Sequence, residues 1–594
     1  MSTEMGPDKP LPYSDHFSSP EEYVESLLNF LGSNSLLGTL CGGVHILDFF
    51  TTDPPLYPRL LPQEWRQWFD ATDIMDILDL LMREDMESIP QEGQWRNGPI
   101  PPNSLLQYIT SVRLHLLNRS PSSSRCSLNR SLKSRPLARH VAVGMSLKKV
   151  HEVGLFAHYL DNLCQTYQTS TSQQISHLVD FGSGQNYLGR ALASQPFNKN
   201  IVAIESKSEN AERAREFDVM AKLAVKEKIL RNKKVWRETG EHVPPTPPPE
   251  ITPSASPPPT VEVPPPEGGT GTILYINHRL ADGNLSDVIS QIPPPSSTDP
   301  QDQNLLVTSL HSCGNLLHHG LRSLTLNPTV QIVAMVGCCY NLLTERLGPA
   351  TYKLPSLRPA AHPRLSTLAE ARDPNGFPMS ERFCTAYPSP SSSNPHASSN
   401  PTEAEGVKLN ITSRMMAVQA PGNWGPHDSE SFFTRHFYRA LLQRIFLDYG
   451  IITPPRGIVE EGASPAGHSS GGTPIIIGSL RKSCYVNFPA YVRGALAKLM
   501  LEKEGEKGNV FREKLAGIED EEILRYERIY EGGKKDLSVI WALMAFSAGV
   551  VEAAIVVDRW CWLMEQEEVG EAWVESVFEY GVSPRNLVVV GVKK

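Results

Sequence analysis

The feature that most constrains this chain's fold is an apolar run ending in Val179-Asp180-Phe181-Gly182-Ser183-Gly184. About twenty residues later comes Ile201-Val202-Ala203-Ile204-Glu205. His177-Leu178-Val179 reads as a buried strand, and Gly182 and Gly184 then permit a tight turn in which backbone comes close to a ligand. Tyr187 to Ala193 has helical character, and Glu205 closes a second apolar strand. A carboxylate at that tip can accept hydrogen bonds from both hydroxyls of a ribose. The pattern outlines a nucleoside site. Many strand-to-helix turns carry Gly-x-Gly for steric reasons alone, so the two acids, Asp180 and Glu205, bear the inference.

A dinucleotide site wants a third glycine at G-x-G-x-x-G, so that the helix can pack closely and face the pyrophosphate. Tyr187 occupies that position here, and Gly189 comes two residues late. The D-x-G-x-G form, with an acid opening the loop, suits a ligand that lacks phosphate but carries an amino group and a sulfonium. S-adenosyl-L-methionine is the cofactor expected, with Asp180, Gly182, Ser183, Gly184 and Glu205 around it. Asp282, after a third strand, is placed to accept from the adenine amino group; a turn-making Asp before Gly283 explains it equally well.

The chain has 594 residues, enough for more than one core, but 50 prolines and 42 glycines set much of it outside packed structure. A net charge of −9 argues against broad, nonspecific nucleic-acid binding. Locally the balance reverses: Ser120 to His151 holds no acid, while Arg125, Arg130, Lys133, Arg135, Arg139, Lys148 and Lys149 are basic. Such a run is a solvated linker or a phosphate-binding arm. Nine scattered cysteines give no disulfide framework, and Met1 to Ser19 lacks an apolar signal core. An intracellular setting, cytoplasmic or nuclear, is expected. Val539 to Val557 is apolar enough to suggest a membrane span, but it contains Ser547 and Glu552 and runs into Asp558 and Arg559. A buried helix and no membrane are expected.

Strands are expected at about 176–181, 200–205, 271–278, 304–310 and 330–337, with helices between them, and Asn586 to Val592 as a closing strand. Ser208 to Trp236 reads as one long helix. The fold class is therefore α/β, a Rossmann-like, mostly parallel doubly wound sheet with helical additions at both ends. The boundaries are a helical N-terminal domain over 1–120, a basic linker over 121–138 and a core over 139–345 with a disordered insertion at about 238–270. A flexible loop over 346–406 follows, then a helical region over 407–594 whose closing strand completes the core.

Ligands of such sheets gather at the carboxyl ends of the strands. His311-Ser312-Cys313-Gly314 follows strand four and Gly337-Cys338-Cys339-Tyr340 follows strand five. If those strands are neighbours, His311 and Tyr340 line the rim as the candidate catalytic groups, while the cysteines pack as small apolar residues. The cysteines are also zinc-ligand types. Against a metal, His311 and Cys313 are only two apart, and adjacent Cys338 and Cys339 on a strand end would face opposite sides, so none is expected. Asp/Asn-Pro-Pro-Tyr, the motif of adenine amino methylation, is absent after strand four.

Met145-Ser146-Leu147-Lys148-Lys149-Val150-His151-Glu152-Val153, the Asp180 loop, Leu310-His311-Ser312-Cys313-Gly314-Asn315-Leu316 and Val336-Gly337-Cys338-Cys339-Tyr340-Asn341-Leu342-Leu343-Thr344-Glu345 occur in that order. They resemble the blocks of the methyltransferase-like twenty-five / ribosomal RNA adenine dimethylase domain-containing family. Ser583-Pro584-Arg585-Asn586-Leu587 resembles its ending. The resemblance implies a class I, S-adenosylmethionine-dependent methyltransferase domain, with cofactor roles at Asp180, Gly182, Gly184 and Glu205. Lys148, Lys149, His151 and Glu152 match the block before strand one, where a pocket-capping role is expected. The His-x-Cys-Gly block is also similar to one in transfer-RNA ribose methyltransferases. RNA is the acceptor expected first and protein second; the alternative is a non-catalytic scaffold that keeps the fold for interaction.

Overall fold

The computed structural model describes residues 5–53, 55–120, 137–224, 271–293, 303–347, 373–387, 405–453, 474–502 and 506–594. The insertion expected at 238–270 and most of the basic linker lie outside the described residues. In chain order the elements used below are α1 (Leu147–Thr171), β1 (His177–Phe181), α2 (Tyr187–Ala193), β2 (Ile201–Glu205), α3 (Ser208–Met220), β3 (Ile273–Asn277) and β4 (Leu305–Cys313). They continue with α4 (Leu316–Leu326), β5 (Val330–Cys339), α5 (Pro426–Asp448), α6 (Gly533–Met564), β6 (Val569–Ser576) and β7 (Leu587–Lys593).

These strands form one seven-stranded sheet in the order β3-β2-β1-β4-β5-β7-β6. β1 pairs in parallel with β2 and β4, and β2 with β3. β7 runs antiparallel to both its neighbours. Chain order reverses between β1 and β4, so the carboxyl end of β1, where Asp180 sits, lies at the switch point of a doubly wound sheet. The doubly wound sheet expected from sequence is the one observed.

The chain divides into two compact units, Asn129–Arg279 with Ser286–Thr308, and Met1–Leu128 with Leu280–Leu285 and Ser309–Lys594. In the first, β1 and β2 are buried along nearly their whole length, as strands covered on both faces must be. Ser146 caps α1 by accepting from Lys149 N at 3.3 Å, and the helix ends where Ser172 takes a left-handed φ of 60°. Arg190 of α2 is wholly buried. It pairs with Asp218 of α3 at 3.3 Å and donates to the carbonyls of Val143 and Gln185 at 3.1 and 3.0 Å. Tyr275 of β3 also donates to Asp218, at 2.5 Å, tying helix layer to sheet. α3 ends at Met220, and residues 225–236 of the longer helix expected there lie outside the described residues.

The second unit is built around α6. This helix is long and apolar enough to cross a membrane, but 94% of its most apolar stretch is buried inside the protein. Its buried polar residues Ser547, Glu552 and Asp558 find partners from distant parts of the chain, as burial demands. Ser547 meets the Tyr108 hydroxyl at 2.7 Å, and Glu552 accepts from Tyr340 Oη at 2.9 Å and is ion-paired with Arg119 and Arg585. Asp558 accepts from Met379 N, Ser380 N and Ser380 Oγ at 2.8, 2.9 and 2.7 Å. A further core joins α5 to the helices Phe488–Glu502 and Asp520–Tyr530 through Leu441, Ile445, Phe446, Val492 and Ile523. β6 was not anticipated: Gly570, Glu571 and Glu575 interrupt the apolar pattern, and its pairing with β7 decides its conformation.

Candidate functional site

Five of the expected residues come together at the tip of β1. The register sets Asp180 beside Ala203 and Phe181 beside Ile204, so the loop after β1 runs alongside the end of β2. Gly182 and Gly184 both take left-handed φ values, 64° and 57°, which is why glycine stands at each. A Cβ on Gly184 would meet nothing closer than the Gly182 carbonyl at 4.0 Å, so this backbone faces open space. Ser183 Oγ is buried and has no hydrogen-bond partner among the described residues.

Asp180 is buried, with 4% of its surface exposed. Burial, and then the charge of Glu205, push its acid up to about 7. Among the described residues no cation of the chain offsets this. Glu205 itself turns inward to the loop. It accepts from Gly184 N at 3.0 Å, Ser206 N at 2.8 Å, Lys207 N at 2.9 Å and Asn210 Nδ2 at 3.2 Å. A carboxylate offers about four lone-pair sites, so ribose hydroxyls reach Glu205 only by replacing some of these donors. The cradle, the uncompensated acid and the unpartnered hydroxyl fit a nucleoside that carries a cationic amino-acid tail.

Gly189, two residues late for the dinucleotide pattern, still performs that pattern's packing task. A Cβ there would lie 2.9 Å from Ile201 Cγ2 and 2.1 Å from Asn186 Oδ1, so only glycine lets α2 approach β2 this closely. Asn186, at a left-handed φ of 51°, donates to Tyr275 Oη at 2.9 Å and fixes the loop's exit. Glu152, in the block ahead of β1, is buried and ion-paired with Lys149 at 3.0 Å and Lys148 at 3.8 Å.

The remaining expected residues stand elsewhere. Asp282 is exposed and its Oδ1 accepts from Asn284 N at 2.9 Å, the turn-making alternative. The adjoining Gly283 has φ 103°, and a Cβ there would come within 2.5 Å of the His319 carbonyl on α4. His311 and Cys313 lie on β4 itself, which runs three residues past the expected end, and His311 is exposed. Tyr340 is a correction. It is 3% exposed, its hydroxyl donates to Glu552, and burial with the Glu552 charge raises its pKa well above the usual phenol range. Arg559 and Arg585 stack on its ring at 5.5 and 5.8 Å. Tyr340 is thus an anchor of the α6 core, not a catalytic group on the rim. Sequence reasoning missed its partners because Arg119, Glu552 and Arg585 are far from it in the chain.

The thiols converge, contrary to the expectation from strand alternation. Cys338 Sγ is 3.4 Å from Cys339 Sγ and 3.3 Å from Cys313 Sγ, although 338 and 339 are adjacent. Cys339 has ψ 77°, short of an extended strand, and leads into the single turn Tyr340–Leu342.

Residues 148–346 match a family described as methyltransferase domain. The chain is 25% identical over 320 residues to the human probable methyltransferase-like protein 25, covering 53% of this chain and 39% of that protein. To its mouse counterpart it is 26% identical over 319 residues, 53% of this chain and 40% of the other. The match thus spans well under half the length of these relatives. A solved structure of the plantazolicin methyltransferase BpumL in complex with SAH aligns at 11% identity and TM-score 0.17, over 32% of this chain and 49% of that one, too slight to bear on the argument. With the sheet order, the domain match gives the Rossmann-like class I methyltransferase fold. This chain carries a methyltransferase domain and is similar to methyltransferase-like protein 25.

Proposed function

We propose that the chain is an S-adenosylmethionine-dependent methyltransferase whose acceptor is RNA. The observation that carries the cofactor reading is Asp180, a buried carboxylate beside a second acid with no cation of the chain to offset it among the described residues. A ligand bearing an amino group and a sulfonium supplies that charge, whereas the phosphates of a dinucleotide would be repelled by both acids. S-adenosylmethionine brings a methyl group already activated by its sulfonium, which leaves the chain to bind, orient and exclude water. Gly182 and Gly184 would lie against it, Ser183 Oγ would donate, and Glu205 would exchange its present donors for ribose hydroxyls.

For the acceptor, support comes from sequence. The block His311-Ser312-Cys313-Gly314 resembles that of transfer-RNA ribose methyltransferases, and the acid-free stretch 120–151 suits a phosphate backbone. His311, exposed on β4, is our candidate for a base or a positioning group at the acceptor.

A non-catalytic scaffold is the second reading, favoured by the fully engaged carboxylate of Glu205. S-adenosylhomocysteine at about one hundred times its dissociation constant should stabilise a binding-competent chain by about 2.7 kcal/mol. A folded chain whose melting does not move at any ligand concentration returns the scaffold. Crosslinking to cellular RNA then tests the acceptor: enrichment no greater than background turns the proposal to a protein substrate.

A further inference from the structure

We propose that Cys313, Cys338 and Cys339 form a three-thiolate site for a thiophilic metal ion, of which zinc is the natural probe, with a fourth position left to an exchangeable ligand. The three sulfurs all lie within 4.8 Å of one another. Tetrahedral zinc with bonds of about 2.3 Å sets its thiolates about 3.8 Å apart, so the 3.3 and 3.4 Å separations need to open by roughly half an ångström.

The backbone holds this arrangement in place. Gly314 N donates to the Cys339 carbonyl at 3.2 Å, linking the ends of β4 and β5. Gly314 has φ 57°, and a Cβ there would come within 2.4 Å of the Leu342 carbonyl, so the crossing tolerates only glycine. The sulfurs are therefore brought together by fixed strand ends rather than by mobile side chains.

Charge points the same way. Three thiolates on a divalent ion carry a net charge of −1, and two guanidiniums act on the cluster: that of Arg585 on Cys339, and that of Arg559 mutually with Cys338. Arg559 is 2% exposed, and its Nε has no hydrogen-bond partner among the described residues. Its Nη1 would be 2.9 Å from a Cβ on Gly337, the residue before Cys338. Burial lowers the pKa of the Arg559 guanidinium, Tyr340, Asp558 and Glu552 offset part of that, and Cys338 adds to them, so an anionic cluster would meet a cation already at its edge. On metal binding each thiol gives up its proton to solvent and its sulfur lone pair to the metal, so affinity should fall as pH falls. All three cysteines are only half-buried. Three protein ligands with room for a fourth is the donor count of a reactive rather than a closed structural zinc.

The test uses the full chain, stripped with a chelator under reducing conditions and titrated with Co2+ and then Zn2+. We expect one equivalent to bind, near-ultraviolet sulfur-to-cobalt charge transfer, three thiols protected from alkylation, and a visible spectrum that shifts when imidazole is added. Cys313→Ser, Cys338→Ser and Cys339→Ser should each weaken Zn2+ competition against a chelator by more than about 100-fold, while Cys484→Ser leaves it unchanged. Circular dichroism checks that each variant is folded. If the variants do not fold, the wild-type chain decides alone: no stoichiometric uptake, or alkylation unaltered by zinc, overturns the site. Uptake that survives the triple serine variant, or an intact mass showing a disulfide among these cysteines in the metal-free reduced chain, overturns it equally. A cobalt spectrum indifferent to imidazole overturns the open fourth position. None of these readouts depends on whether the donor site at Asp180 binds.

Discussion

Replacing Asp180 by asparagine tests the electrostatic argument at its source. In the fold this acid titrates at about 7, against 3.8 for an ordinary aspartate. Between those values the folded chain keeps a proton that the unfolded chain has released, so stability falls as pH rises through that window. About three pH units at about 1.4 kcal/mol each set a ceiling near 4 kcal/mol on what the charge costs above pH 7. The amide of the variant has nearly the same shape and is neutral at every pH. Asp180→Asn should therefore be more stable than the parent at pH 8, by up to about 4 kcal/mol, and about equal to it at pH 4. For a unit of this size that is a rise of about 2–4 °C in melting temperature per kcal/mol. The same variant should lose the stabilisation that S-adenosylhomocysteine gives, since the amino group loses its counter-ion. Thermal melts at pH 4 and pH 8, with and without ligand, measure all four corners. A variant less stable than the parent at both pH values refutes the reasoning, as does one whose ligand shift is intact.

Tyr340→Phe should leave methyl transfer unchanged while costing about 1 kcal/mol of stability through the lost hydrogen bond to Glu552, whose Oε1 keeps the Arg585 guanidinium; a large loss of activity at normal stability would return Tyr340 to the catalytic site. Glu552 is held below the ordinary carboxylate range because Arg119 and Arg585 outweigh its burial. Glu552→Gln should accordingly lower stability by about 3–5 kcal/mol by stranding two guanidiniums, and an unchanged urea midpoint would contradict that. Gly189→Ala forces its Cβ into Ile201 and Asn186. A cost of about 1–3 kcal/mol is expected with weaker ligand binding, and a melting curve identical to the parent's would show that α2 can retreat from the sheet.

Local chemistry was enough to locate the glycine turn after β1. An acid, two glycines and a strand-ending Glu205 specify a turn through backbone conformation and spacing, which are properties of neighbours in sequence. The same holds for β1 to β5, whose apolar runs mark them as strands, and for the burial of α6, signalled by Glu552 and Asp558 within an apolar stretch. What the sequence left open depended on meetings between distant residues. Asp282 was equally an adenine acceptor or a turn former until the Asn284 contact identified the turn. Tyr340 looked like a rim residue because nothing near it in sequence reveals that Glu552 waits below. β6 is a strand only because β7 lies beside it. The thiol cluster depends on how the ends of β4 and β5 meet, and alternation along an ideal strand gave the wrong side. Period and residue type determine what a segment offers to its neighbours. Only tertiary packing decides which neighbours accept the offer, because the energy of a buried charge or thiol resides in its partners.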